Sequence, residues 1–174
     1  MKTSIVLTVL AADRPGLVSD LSTIARNHSA NWVNSKMSRL AGRFAGLVHL
    51  EVMQQQLDSL ITALKDLQNQ GIQIHINHND ESAPMQAHSD ETLVVELLGQ
   101  DREGIIKDIS QQLAILGINI TELLTEQRIA SMSNEILFFA KITVVLPETI
   151  SADNVQTQLE AMSDQFMVDI VIST

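Results

Sequence analysis

Asp13, Arg14 and Gly16 open the stretch DRPGLVSDL, and Asp101, Arg102 and Gly104 open its echo, DREGIIKDI. Each places a carboxylate, a guanidinium and a glycine at one spacing, directly before an apolar pattern of helical period. The first backbone N–H groups of a helix have no partner within it, and the helix dipole makes that end attractive to an anion. A small carboxylate is such an anion. Glycine, without a Cβ, lets backbone come close to a ligand or a neighbouring strand. Asn31 and Asn119 follow downstream in the two copies, offering an amide donor and a carbonyl acceptor, the latter suited to an ammonium group. The candidate set for a small zwitterion is therefore Asp13, Arg14, Gly16, Leu17 and Asn31 in the first copy, with Asp101, Arg102, Gly104, Ile105 and Asn119 in the second.

A plainer reading stands beside it. Asp13 and Asp101 can be helix N-caps, the glycines can serve tight packing, and Arg14 and Arg102 can be solvated surface. The copies also differ: Glu103 stands where the first has Pro15, and Gly117 where it has Ser29. An added glutamate disfavours a carboxylate, so the two sites are expected to be unequal.

Other chemistry finds less support. No cysteine is present, so there is neither a disulfide framework nor a thiol nucleophile. No serine lies in a G-x-S-x-G elbow. His75 and His78, three apart in an alternating segment, point to opposite faces and cannot chelate one ion without a bend. No metal and no cofactor is expected.

The echo belongs to a larger repeat. Asp20 and Ser22 recur as Asp108 and Ser110 at the same offset of 88, giving six identities in nineteen positions, where about one is expected by chance. The period is too long for a solenoid unit, so each copy must hold a whole small fold. In the first, Ile5, Leu7 and Val9 alternate as a strand, and Leu17, Val18, Leu21, Ile24 and Ala25 mark a helix. A second strand runs from about Ala30 to Leu40, and Ala41-Gly42 suggests a hairpin into a third carrying Val48, Leu50 and Val52. Leu57, Leu60, Ile61, Leu64 and Leu67 mark a second helix stopping before Gly71, and Ile72, Ile74 and Ile76 a last strand.

The second copy repeats this βαββαβ order: a strand from Thr92 to Gly99, a helix on Ile105, Ile106, Ile109, Leu113 and Leu116, and a strand from Ile118. A strand with Phe138, Ala140, Ile142 and Val144 follows, then a helix with Val155, Leu159 and Met162 and a strand with Val168, Ile170 and Ile172. The apolar pattern puts the offset at 92 by the third strand and 96 by the fourth. The extra residues then fall in the ASMSNE hairpin and around LPETIS. NDESAPMQAHSD, without periodicity, reads as a linker, so the expected domains are residues 1–79 and 91–174 joined by 80–90.

Two βαβ crossovers on one antiparallel sheet give an α+β, ferredoxin-like sandwich with both helices on one face. Val94 and Leu98 make the opposite face of the second copy's first strand apolar too, so something must cover it, the sister copy being the nearest candidate. The chain has 174 residues and a net charge of -10. That charge repels phosphate backbones, no basic stripe offsets it, and four Phe and one Trp make no stacking platform. Direct nucleic-acid binding is not expected. No apolar run approaches the roughly 18 residues of a membrane span, and no signal-peptide pattern opens the chain. A soluble, cytoplasmic protein is expected.

The βαββαβ unit with D-R-x-G at the first strand-to-helix turn, and Asn where the second strand begins, resembles the ACT domain, a regulatory module that binds amino acids. Two such units filling a chain of this length resemble the glycine cleavage system transcriptional repressor family. The resemblance covers residues 3 to 79 and 91 to 173. It implies two tandem ACT domains paired as an internal pseudo-dimer, with a small amino acid such as glycine held near the interface. It also implies repression through a protein partner, a DNA-bound transcriptional activator. Two alternatives remain open. The chain could be an ACT regulatory subunit of an amino-acid metabolic enzyme. It could also be an acylphosphatase-like enzyme, since Arg14 with Asn31 superficially imitates that phosphate-holding pair. The units could pair within one chain or across two, as a homo-oligomer.

Overall fold

A computed structural model describes residues 1–78, 91–130, 134–166 and 168–173. The chain divides into two compact units, Met1–Pro84 and Met85–Thr174. The linker expected at 80–90 lies outside the described residues.

Unit 1 runs β1 (Lys2–Ala12), α1 (Leu17–Asn27), β2 (Asn31–Leu40), β3 (Arg43–Met53), α2 (Leu57–Asp66) and β4 (Gln73–His78). Its strands form one antiparallel-paired sheet in the order β2-β3-β1-β4. Period-2 alternation sends Ile5, Leu7 and Val9 to the same side as Val48, Leu50 and Val52. There they meet Leu17, Leu21 and Ala25 of α1 and Leu57, Leu60 and Leu64 of α2, in a single buried cluster. Both helices therefore cover one face of the sheet, as the ferredoxin-like sandwich requires. Ala41 and Gly42 make a two-residue turn with φ 48 and 76, both positive, as a type I′ hairpin demands. A turn of 3₁₀ helix follows α2 and stops at Gly71, in the left-handed region at φ 79.

Unit 2 repeats the plan with β5 (Thr92–Gln100), α3 (Ile105–Ile115), β6 (Asn119–Ile129), β7 (Ile136–Val145), α4 (Ala152–Phe166) and β8 (Val168–Ser173), in the sheet order β6-β7-β5-β8. Its core joins Leu93, Val95 and Leu97 to Ile105, Ile109, Leu113, Val155 and Leu159. On the helix-free face Phe139 is 8% exposed, with the Arg128 guanidinium 3.4 Å from its ring centroid. Lys141 pairs with Glu96 at 3.0 Å beside it. The unit thus shields part of that apolar face with its own long cationic side chains.

The register corrects one sequence-based expectation. Asn31 pairs with Glu51 and Asn119 with Val145, so an offset of 88 on the second strand becomes 94 on the third, not 92. Leu7 pairs with Ile76 and Val95 with Ile172, giving the expected 96 on the last strand. Most of the enlargement thus sits in the β6–β7 hairpin. A slip of two residues leaves every side chain on its original face, so apolar alternation cannot detect it.

After α1 the chain turns at Ser29, whose φ of 53 is left-handed, while unit 2 uses Gly117 at φ 69 in the same place. A side chain there costs roughly 1–2 kcal/mol relative to the right-handed region. Ser29→Gly is expected to raise the stability of unit 1 by about 1 kcal/mol, read as a higher urea midpoint with unchanged slope.

Candidate functional site

Four residues join β1 to α1, and the same geometry recurs between β5 and α3. Gly16 and Gly104 precede the helices with φ, ψ of 90, -7 and 89, -3, nearly one backbone built twice. Their carbonyls accept the N–H of Asp20 at 2.8 Å and of Asp108 at 2.9 Å, the first helical bonds. A Cβ on Gly16 would come no nearer than 3.6 Å to Arg14 Nη1, and on Gly104 no nearer than 3.9 Å to Asp108 Oδ2. Crowding does not select these glycines. The positive φ does, so tight packing against a neighbouring strand is not what these glycines serve.

The aspartates are not N-caps. Each helix starts after its left-handed glycine with no side-chain cap, leaving Asp13 and Pro15 outside it. Asp13 instead accepts from Arg39 Nη1 at 3.4 Å, and Asp101 from Gln127 Nε2 at 2.5 Å. Arg39 and Gln127 stand 88 apart near the ends of β2 and β6, so each aspartate ties the turn to its edge strand by the same route.

Nor are the arginines simply solvated. Arg14 folds back over its own turn, with Nη2 2.7 Å from Asp20 Oδ2 and Nη1 donating to the Pro15 carbonyl at 3.2 Å. Arg102 does the same with Asp108 at 3.5 Å and the Glu103 carbonyl at 3.3 Å. The motif thus extends to D-R-x-G-x-x-x-D, its arginine bracing the turn against an aspartate in the first helical turn. Sequence reasoning noted the Asp20/Asp108 identity without assigning it a partner, because Arg14 lies outside the helix and helical spacing does not link them. Such exposed pairs contribute about 0–1 kcal/mol each, and guanidiniums engaged this way are poorly placed to hold a ligand carboxylate.

Leu17 and Ile105 are buried in their cores, so only their backbone N–H groups face the turn. Asn31 and Asn119 open β2 and β6, but at the far end of the sheet. Asn31 and Ser4 both pair with Glu51, whereas the turn follows Ala12, which pairs with Arg43. Eight strand residues separate those levels, roughly 26 Å. In unit 2, Asn119 and Thr92 share Val145, again eight residues before the end of β5. No single unit brings its asparagine to its own turn, and the acylphosphatase-like pairing of Arg14 with Asn31 does not form within a unit.

What each turn holds is a row of helix N–H groups beside two carboxylates, both paired with arginine in unit 1 and one of them, Asp108, in unit 2. Glu103 adds a third in unit 2. Elsewhere, Ser4 Oγ hydrogen-bonds His49 Nε2 across β1 and β3, a contact to which no sequence motif pointed. Among the described residues no polar side chain is buried, no three potential metal ligands gather, and no helix is long and apolar enough to cross a membrane.

Comparison with known proteins agrees with this architecture. Residues 3–77 match the ACT domain family model. A solved structure of an unknown protein from Galdieria sulphuraria is 30% identical, covering 99% of this chain and 98% of its own, with a TM-score of 0.79. A candidate glycine cleavage system transcriptional repressor is 18% identical over 99% of this chain and 97% of its own, with a TM-score of 0.74. No curated protein matches the sequence significantly. With the ACT domain family model on unit 1 and the same βαββαβ plan and braced turn in unit 2, the chain is a tandem of two ferredoxin-like units, the first of them matching the ACT domain family, and it is similar in fold to the candidate glycine cleavage system transcriptional repressor.

Proposed function

We propose that the chain is a non-enzymatic, amino-acid-responsive regulator that represses glycine cleavage genes in the cytoplasm by binding a DNA-bound activator protein. The observation that carries this reading is the tandem of two like βαββαβ units, the first matching the ACT domain model, a plan shared over 99% of the chain with a candidate repressor of that system. The net charge of -10 favours a protein partner over DNA. A small amino acid such as glycine is the proposed effector, and no cofactor is required. By linkage, it alters partner binding only as far as it binds the free and partner-bound states with different affinity.

The test is affinity capture from cell extract with the tagged chain, with and without glycine. Recovery of a DNA-binding activator, with affinity shifted by roughly 5- to 150-fold on adding glycine, is the expected result. Recovery of a metabolic enzyme instead would make the chain a regulatory subunit. Calorimetry that shows no heat with glycine, serine or other amino acids would remove the sensing part.

A further inference from the structure

On the helix-free face of unit 2, cross-strand pairing sets side chains of β7, β5 and β8 in two adjacent rows. Phe139, Leu98 and Asp169 form one, and Lys141, Glu96 and Val171 the other. Along them lies a groove of about 240 Å³, bordered also by Arg128. We propose that this groove docks a basic segment of a protein partner. An arginine side chain would enter it with its stem on Leu98 and Val171 and its guanidinium against Asp169. Such a surface gives the regulator reading its point of contact and rests on that reading only for the partner's identity.

Three observations select that occupant. First, the face already takes a guanidinium from its own chain. Arg128 lies 3.4 Å from the ring centroid of Phe139 while it pairs with Glu126. Glu96 is likewise paired, with Lys141 at 3.0 Å. Asp169, by contrast, is exposed and has no ion-pair partner among the described residues, and Val171 beside it is 62% exposed. An open carboxylate next to an apolar wall suits a planar cation on an apolar stem.

Second, the charge of the chain is unevenly divided. Residues 91–174 hold four Lys or Arg against thirteen Asp or Glu, a net charge of -9, whereas residues 1–78 hold seven against five, a net charge of +2. The field of unit 2 draws cationic partners toward it, and proteins that bind DNA carry a surplus of Lys and Arg.

Third, unit 1 supplies an internal comparison. Its two corresponding rows are Ala45, Leu10 and Gln73, then Leu47, Thr8 and His75. They hold no carboxylate and no phenylalanine, so unit 1 keeps the sheet plan without this chemistry.

The probe is a fluorescein-labelled peptide of alternating arginine and leucine, and its control carries uncharged citrulline in place of each arginine. Anisotropy is expected to show saturable binding of the first and none of the second, with amide NMR shifts centred on Leu98, Phe139, Asp169 and Val171. Asp169→Lys should weaken binding about tenfold, whereas Glu160→Lys, the same change of charge on α4, should alter it less than about twofold. Both positions are exposed, and circular dichroism would verify that both variants fold. Equal losses in the two variants would reduce the effect to net charge and overturn the proposal, as would shifts confined to unit 1. A parent dimer that Asp169→Lys dissociates would place a second copy on this face instead. In capture from extract, an activator held equally by the parent and Asp169→Lys would keep the regulator reading and refute this surface. Peptide binding lost in Asp169→Lys, with no activator captured by the parent, would do the reverse.

Discussion

Replacing Gly46 with alanine is expected to destabilise unit 1 by about 3 kcal/mol, near the top of the usual range for overpacking. Gly46 lies in β3 opposite Met37 of β2. A Cβ there would stand 2.7 Å from Met37 Cα and closer still to the Lys36 carbonyl oxygen. Both are backbone atoms, so no rotamer change relieves the clash. The edge strand would have to move away from β3 and surrender ladder hydrogen bonds. The corresponding position in unit 2 is Ala140, which pairs with Leu97 as Gly46 pairs with Val9, and it already accommodates its methyl in the core. Ala140→Gly should therefore cost only about 1 kcal/mol, mainly through backbone entropy. Urea unfolding followed at Trp32 reads the first substitution from the affected strand itself. An unchanged midpoint for Gly46→Ala would mean that β2 can shift at little cost.

A second large effect is expected at Leu21→Ala, about 3 kcal/mol within the 2–5 kcal/mol typical of a buried leucine. Leu21 is 2% exposed and packed between α1 and the sheet, whereas Val18, one turn away in the same echoed stretch, is 46% exposed. Val18→Ala should change stability by less than about 0.5 kcal/mol. Alanine is the strongest helix former, so helix propensity does not account for the loss at Leu21. Equal effects at the two sites, by urea denaturation, would contradict the core assignment.

These contrasts show where sequence reading succeeds. Residue period finds the buried Leu17, Leu21 and Ala25 but takes the exposed Val18 with them, because adjacent apolar residues fit one helical stripe equally well, while the echo of DRPGLVSDL points to the duplication before any coordinates are known. Residue type alone misled at Asp13 and Asp101. Aspartate before a helix suggests a cap, but a left-handed glycine already sets the helix start, freeing the carboxylate for Arg39 or Gln127. Those partners lie 26 residues downstream, beyond any local pattern. The separation of Asn31 from the turn, by contrast, could have been derived from topology. A strand, a helix and a strand parallel to the first return the chain to the level where it began.

β2 and β6 each carry an irregularity in pairing with their neighbour, between Trp32 and Asn34 in one and between Ile120 and Glu122 in the other. The skipped residues, Val33 and Thr121, stand 88 apart, are both β-branched and lie beyond the last identity of the echo. An inserted residue of this kind bends and twists a strand whatever its side chain. Its presence at one step in both copies makes it part of the plan the two units share. The shape of this edge is therefore matched more closely between the units than the residues that form it.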